Sequence, residues 1–125
     1  MPRTITGAAF VSLDGVIQAP GGPTEDPTGG FEQGGWVFKV WDDGIDEAIG
    51  ALFAGDYDLL LGRRTYDIFA AYWPSVEGEA AAMGEAFTSA STFVLTRGDQ
   101  PLEWANSRRL TSIADVAAIE AAIAG

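Results

Sequence analysis

The stretch Asp58-Leu59-Leu60-Leu61-Gly62-Arg63-Arg64-Thr65-Tyr66 carries the densest chemistry of the chain. Three consecutive leucines read as a strand buried on both faces. Behind them the chain passes through a glycine into two arginines and a threonine, and a helical spacing of apolar residues runs from Tyr66 to Tyr72. This junction sets backbone N–H groups, a hydroxyl and two guanidinium groups at a helix start, where a phosphate is electrostatically favoured. The same residues allow a plainer arrangement, a solvated helix start with one arginine bridging an acid such as Asp67. A second polar exit, Thr96-Arg97-Gly98, follows the apolar run that ends at Leu95. Three of the seven cationic residues, Arg63, Arg64 and Arg97, therefore stand just past expected strands.

Several chemistries are excluded by what is missing. The 125 residues include no cysteine, which removes disulfides and thiolate metal sites and is compatible with a reducing cytoplasm. With no histidine either, acid–base work falls to Asp, Glu, Tyr, Lys or water. A net charge of −11 argues against nucleic acid or an anionic membrane as partner. It also opposes an anionic cofactor at long range, so any nucleotide must be held by local arginines. The first residues lack a secretory pattern, and no run approaches the roughly 20 apolar residues of a membrane span. The glycine pairs at 21–22, 29–30 and 34–35 lack the spacing of a dinucleotide fingerprint, and no P-loop element is present.

The elements that must position these groups follow from periodicity. Ile5 to Leu13 reads as a central strand, with Gly7, Ala8 and Ala9 leaving room for something flat, and Asp14-Gly15 turns the chain. Residues 19–35 hold three prolines and six glycines; the aromatics that follow (Phe31, Trp36, Phe38, Trp41) point to an anchored lid rather than a free linker. A helix is expected over 43–54, with Ile45, Ala48, Ile49, Leu52 and Phe53 on one face and Gly55 as its stop. The strand at 59–61 and a helix over 65–72 follow, ended by Trp73-Pro74. A weaker helix over 79–88, a strand over 92–96 and a helix over 113–124 capped by Ser112 complete the chain, the last with Val116, Ile119 and Ile123 along one side. Length gives one domain, residues 1–125, and the strand–helix alternation gives an α/β fold with a mostly parallel sheet.

Taken together, these motifs resemble the dihydrofolate reductase superfamily, nearest the branch holding the reductase domain of the bifunctional riboflavin-biosynthesis deaminase–reductase. The likeness rests on Phe-Val-Ser-Leu-Asp-Gly-Val-Ile (10–17), Gly-Gly-Trp-Val-Phe (34–38), Trp-Asp-Asp (41–43), Leu-Leu-Gly-Arg-Arg-Thr-Tyr (60–66), Tyr-Trp-Pro (72–74), Val-Leu-Thr-Arg (94–97) and Leu-Glu-Trp (102–104). It implies an NADPH-dependent reductase acting on a pterin-like or ribosylaminopyrimidine-like small molecule. On that likeness Gly62, Arg63, Arg64 and Thr65 would seat cofactor phosphates. Thr96 and Arg97 would take the 2′-phosphate, and Phe10 and Ile17 would present backbone groups to the nicotinamide amide. The Gly/Pro-rich segment would be the closing loop. Asp46 would be the acid in the substrate cleft, with Asp42 and Asp43 as rivals, and Ala8, Phe69 and Trp73 would wall the pocket. The family continues into a further strand and a cofactor-gripping turn where this chain stops at Gly125, so the likeness implies a C-terminally truncated member. A second expectation is therefore a non-catalytic nucleotide-binding or dimerising module that pairs its open sheet edge as a homodimer.

Overall fold

The structure, a computed structural model, describes residues 4–124, with side chains through Ile119. Met1 to Arg3, Ile123 on the expected stripe of the last helix, and Gly125 fall outside the described residues or side chains. The chain forms two compact units, Ile5–Gly55 and Asp56–Gly125.

In the second unit, β1 (Leu59–Gly62) leads directly into α2 (Arg63–Tyr72), the label α1 belonging to the helix of the first unit, Asp43–Leu52. A 3-10 turn, Trp73–Ser75, follows where Pro74 stops the helix. Next come α3 (Ala81–Ser89), β2 (Thr92–Leu95), β3 (Ser107–Leu110) and α4 (Ile113–Ala124). The sheet has the order β1-β2-β3 and is parallel throughout, with Gly62, Leu95 and Leu110 in register at its carboxyl edge. The unit is thus α/β, a three-stranded parallel sheet flanked by helices.

Tyr66 fixes α2 on this sheet. It is 2% exposed, and its hydroxyl accepts from the Trp104 N–H at 3.0 Å and donates to Ser107 Oγ at 3.0 Å. Ser107 shares its register with Thr92 and Leu59, so one sheet face carries Leu59, Leu61, Thr92, Val94, Ser107 and Arg109 toward α2. Val94 is fully buried there, a burial that contributes about 1.5–3 kcal/mol. Phe69 and Trp73, four apart on the chain, close on Phe87 of α3 at ring separations of 5.9 and 4.9 Å. Gly84 makes that approach possible, because a Cβ there would lie 2.6 Å from both the Trp73 carbonyl oxygen and Val76 Cγ1.

Two strand expectations are corrected. Ile5 to Leu13 forms no strand, and Ile5, Val11 and Leu13 are exposed. A strand exists only through a partner, and the described part of the first unit contains none to pair with it. Conversely, Ser107–Leu110 is a strand although Ser-Arg-Arg-Leu has almost no apolar signal. Thr92 N–H donates to the Asn106 carbonyl and Thr96 N–H to the Leu110 carbonyl, so backbone pairing with β2 recruits it, helped by the buried Leu110 and the Tyr66–Ser107 hydrogen bond. The left-handed Asn106 (φ 62°) supplies the turn into it.

Helix ends differ in smaller ways. α1 begins where expected, with Asp42 accepting from the Ile45 N–H at 2.9 Å, but ends at Leu52, two residues early. α2 starts two residues early, at Arg63, and α3 ends one residue later than expected. α4 begins at Ile113, just past Ser112 as expected, and the Asp115 carboxylate reaches back to the Thr111 and Ser112 N–H groups at 2.9 and 3.0 Å. Those bonds, Thr111 first, hold the Asp115 carboxyl below the usual carboxylate range.

Two outcomes follow from this packing. The Thr92 hydroxyl is buried without a partner among the described residues. Thr92→Val should therefore raise the denaturation midpoint, by about 1 kcal/mol at unchanged m-value, and a lowered midpoint would show the hydroxyl to be bonded. Because the folded value of Asp115 is depressed, its contribution is complete above the unfolded value of about 3.9 and is lost as pH falls through the folded one. The amide proton shifts of Thr111 and Ser112 should titrate with a midpoint below the model-carboxylate value, and a midpoint at or above it would remove the cap.

Candidate functional site

In the Asp56–Gly125 unit, the expected phosphate residues gather at the carboxyl edge of the sheet. Gly62 ends β1 in extended conformation, no side chain caps α2, and nothing lies within 4 Å of where a Cβ on Gly62 would sit. The first-turn N–H groups of α2 therefore begin beside a bare backbone. Arg64 and Thr65 are exposed on that turn. In register with it, Leu95 hands on to Thr96 and Arg97; the Thr96 hydroxyl accepts from the Gly98 N–H at 3.2 Å and shapes the exit.

Arg63 takes a more committed position. Its Nε lies 2.9 Å from Asp67 Oδ1, its two terminal nitrogens donate to the Gln100 and Pro101 carbonyls at 3.3 and 3.5 Å, and its guanidinium stands 5.7 Å from the Tyr66 ring centroid. Of the two arrangements open from sequence, the bridge to Asp67 is the one present. Arg63 thus staples the loop 96–101 to the first turn of α2, and any phosphate has to compete for it.

Two further arginines were not singled out in the sequence because β3 was not read as a strand. Arg109 lies on the α2 face of the sheet and also donates to the Gln100 carbonyl, while Arg108 is exposed on the opposite face. Five of the seven cationic side chains of the chain, Arg63, Arg64, Arg97, Arg108 and Arg109, therefore lie on β3 or just past β1 and β2. Arg97, Arg108 and Arg109 have no carboxylate partner among the described residues. Phe69 and Trp73, expected in a pocket wall, pack on Phe87; Trp73 also borders a shallow cleft with Pro74, Val76, Gly84 and Thr88.

The Ile5–Gly55 unit carries the other expected residues. Ala8 and Phe10 line an open, largely apolar cleft of about 450 Å³ with Asp42, Ile45, Ala48, Ile49 and Leu52 of the α1 region. Phe10 packs on Trp41 at 5.9 Å, and Ile17 is exposed. Asp46 accepts a hydrogen bond from Trp41 Nε1 at 2.8 Å, which fixes the carboxylate on the exposed side of α1. Asp42 is occupied as a helix cap, so Asp46 and Asp43 are the acids left on that first turn. Asp14 accepts from the Ser12 hydroxyl in the turn after the first segment, a structural role. Among the described residues no group of three acids is arranged to hold a metal ion.

The Gly/Pro-rich segment is an ordered loop folded on itself. Gln18 donates through Nε2 to the Asp26 and Thr28 carbonyls, each at 2.9 Å, and its own carbonyl accepts from Trp36 Nε1 at 3.0 Å. The Glu25 carboxylate accepts from the N–H groups of Gly21 and Gly22. Gly35 and Val37 close the base by donating to the Ala19 and Pro20 carbonyls. The tryptophan anchor was legible in the sequence; the glutamine hub was not, because the side chain of Gln18 spends itself on two backbone carbonyls.

No protein-family model matches the chain, and no curated protein is significantly similar to it. No helix among the described residues is long and apolar enough to cross a membrane.

Gly34 is the sterically critical residue of the loop, since a Cβ there would fall 2.5 Å from the Pro23 carbonyl oxygen and 2.6 Å from that of Gly22. Gly34→Ala should open the loop at a cost of about 1–3 kcal/mol, and the Gly35 and Val37 amides should exchange at least about tenfold faster. Unchanged exchange at both would show the loop to be held elsewhere.

Proposed function

We propose that this chain is an NADPH-dependent reductase of the dihydrofolate-reductase-like kind, acting in the cytoplasm on a pterin-like or ribosylaminopyrimidine-like small molecule. The observation that carries the proposal is the gathering of cations at the carboxyl edge of a parallel sheet in a chain of net charge −11. Ligands of open α/β sheets sit outside the carboxyl ends of the strands, and phosphates favour bare helix starts. The residues fit such a group: Gly62 leaves its backbone accessible, α2 has no capping side chain, and Arg97 faces no acid among the described residues.

In this reading Arg64, Thr65, the first amides of α2, Thr96 and Arg97 hold phosphates, with Arg63 bracing the loop that carries Arg97. Phe10 and Ile17 offer backbone groups to the nicotinamide amide. Asp46, aimed by Trp41, holds or moves a proton at its free carboxylate oxygen, and the loop 19–35 excludes water. Within the Asp56–Gly125 unit Phe69 and Trp73 offer apolar surface, and within the Ile5–Gly55 unit Ala8 does. The cofactor, when bound, supplies the hydride.

A second reading is supported by the other edge of the sheet. β1 is an edge strand of three leucines and a glycine, with Leu60 41% exposed, and such an edge favours pairing with a further strand. A homodimerising, non-catalytic module would use it.

Titration with NADPH, followed by fluorescence of the four tryptophans, tests the first reading. A saturable change, tighter for NADPH than for NADH, is the expected result. Absence of any change at millimolar cofactor would sink the reductase, and a stable dimer in sedimentation of that same sample would then favour the second reading.

A further inference from the structure

We infer that two copies of this chain pair through β1, antiparallel, about a twofold axis at Leu60. This arrangement deepens the homodimer reading above and rests on it; every residue it uses belongs to the Asp56–Gly125 unit.

The backbone directions come from the sheet itself. Leu59 N–H donates to the Ser91 carbonyl at 2.9 Å, so Leu59 and Leu61 turn their peptide groups toward β2. Alternation then turns the N–H and carbonyl of Leu60, and those of Gly62, away from β2, where no strand among the described residues meets them. Leu60 lies on the face opposite α2, in register with Phe93, and is 41% exposed. A second apolar strand laid along this edge would bond those groups and cover that side chain.

Charge decides which strand fits. β1 is entered through Asp56 and Asp58 and left through Arg63 and Arg64, with Leu59 to Gly62 uncharged between them. Asp67 offsets Arg63, and Arg97 and Asp99 of the loop 96–101 offset one another, so the exit remains net positive and the entry net negative. Asp58 and Arg64 have contacts of their own within the chain; pairing asks for the order of charge along the strand, not for free side chains. A parallel copy would set acid beside acid and arginine beside arginine, whereas an antiparallel one sets each end against its opposite. With the axis at Leu60, the two Leu60 residues exchange both N–H···O bonds, and Asp58 stands opposite Gly62 of the second copy, next to its arginines. The β3 edge is the poorer partner. It would bring Arg108 and Arg109 against the leucines, and a β1-to-β3 contact repeats into a filament instead of closing. Four residues from each copy make a small interface, so a dissociation constant of about 10–100 µM is expected.

The chain has no cysteine, so engineered ones report the register. Under mild oxidation Leu60→Cys should link to itself, because the two positions face each other across the axis within disulfide reach. Asp58→Cys and Gly62→Cys should link only when mixed; a Cβ at Gly62 meets nothing within 4 Å, so that change is sterically open. Sedimentation of wild type over about 10 µM to 1 mM should show a monomer–dimer equilibrium, and Leu60→Lys should weaken it at least about tenfold. Circular dichroism checks that each variant is folded. A wild-type monomer at every concentration would end both this arrangement and the homodimer reading. A dimer that persists in folded Leu60→Lys, or one in which Asp58→Cys links to itself and Leu60→Cys does not, would overturn the β1 arrangement and leave a homodimer through another surface.

Discussion

The Asp56–Gly125 unit depends on the Tyr66 hydroxyl. A phenol buried to this degree needs partners, and it finds both a donor in the Trp104 backbone and an acceptor in Ser107. Trp104 in turn donates through Nε1 to Thr88, and Asn106 donates to the Thr88 carbonyl, so α2, α3 and the turn before β3 are joined through one polar junction. Because Tyr66 lies in the first turn of α2, this junction also sets where that helix begins. Gly62, Arg63 and the bare N–H groups are consequently held at the sheet edge by an interaction at the opposite end of β3.

The two edges of the sheet are built differently. β3 bears Arg108 and Arg109, charges of the sort that keep an edge strand from pairing further. β1 has no charge between Leu59 and Gly62, and Leu60 remains partly exposed on the face away from Tyr66. An apolar strand of that composition is suited to an interior position. The two edges thus differ in composition, charged at β3 and apolar at β1.

Charge is distributed with similar asymmetry. An acidic chain could neutralise every arginine internally, and at Arg63 it does so with Asp67 and two carbonyls. At Arg97 and Arg109 no acid is supplied among the described residues. Surface ion pairs contribute little, so stability gives small reason to pair or to leave them unpaired. What the arrangement leaves is a set of exposed guanidiniums on β3 and past β1 and β2 in a chain of net charge −11.

Sequence by itself determined the elements whose information is local: α1, α2 and α4 from apolar spacing and caps, β1 and β2 from short β-branched or leucine-rich runs, and the proline stop after Tyr72. It also located the arginines at a strand exit and the tryptophan anchoring the loop. Tertiary structure alone decided that Ser107–Leu110 is a strand and that Ile5 to Leu13 is not, since backbone pairing requires a neighbour that periodicity does not reveal. It decided that Arg63 meets Asp67, that Arg109 turns toward Gln100, and that Trp41 aims Asp46. The physical reason is range. Helical and turn preferences are set within a few residues, whereas strand identity and contacts such as Arg63 with the Gln100 and Pro101 carbonyls depend on groups tens of residues away that only folding brings together.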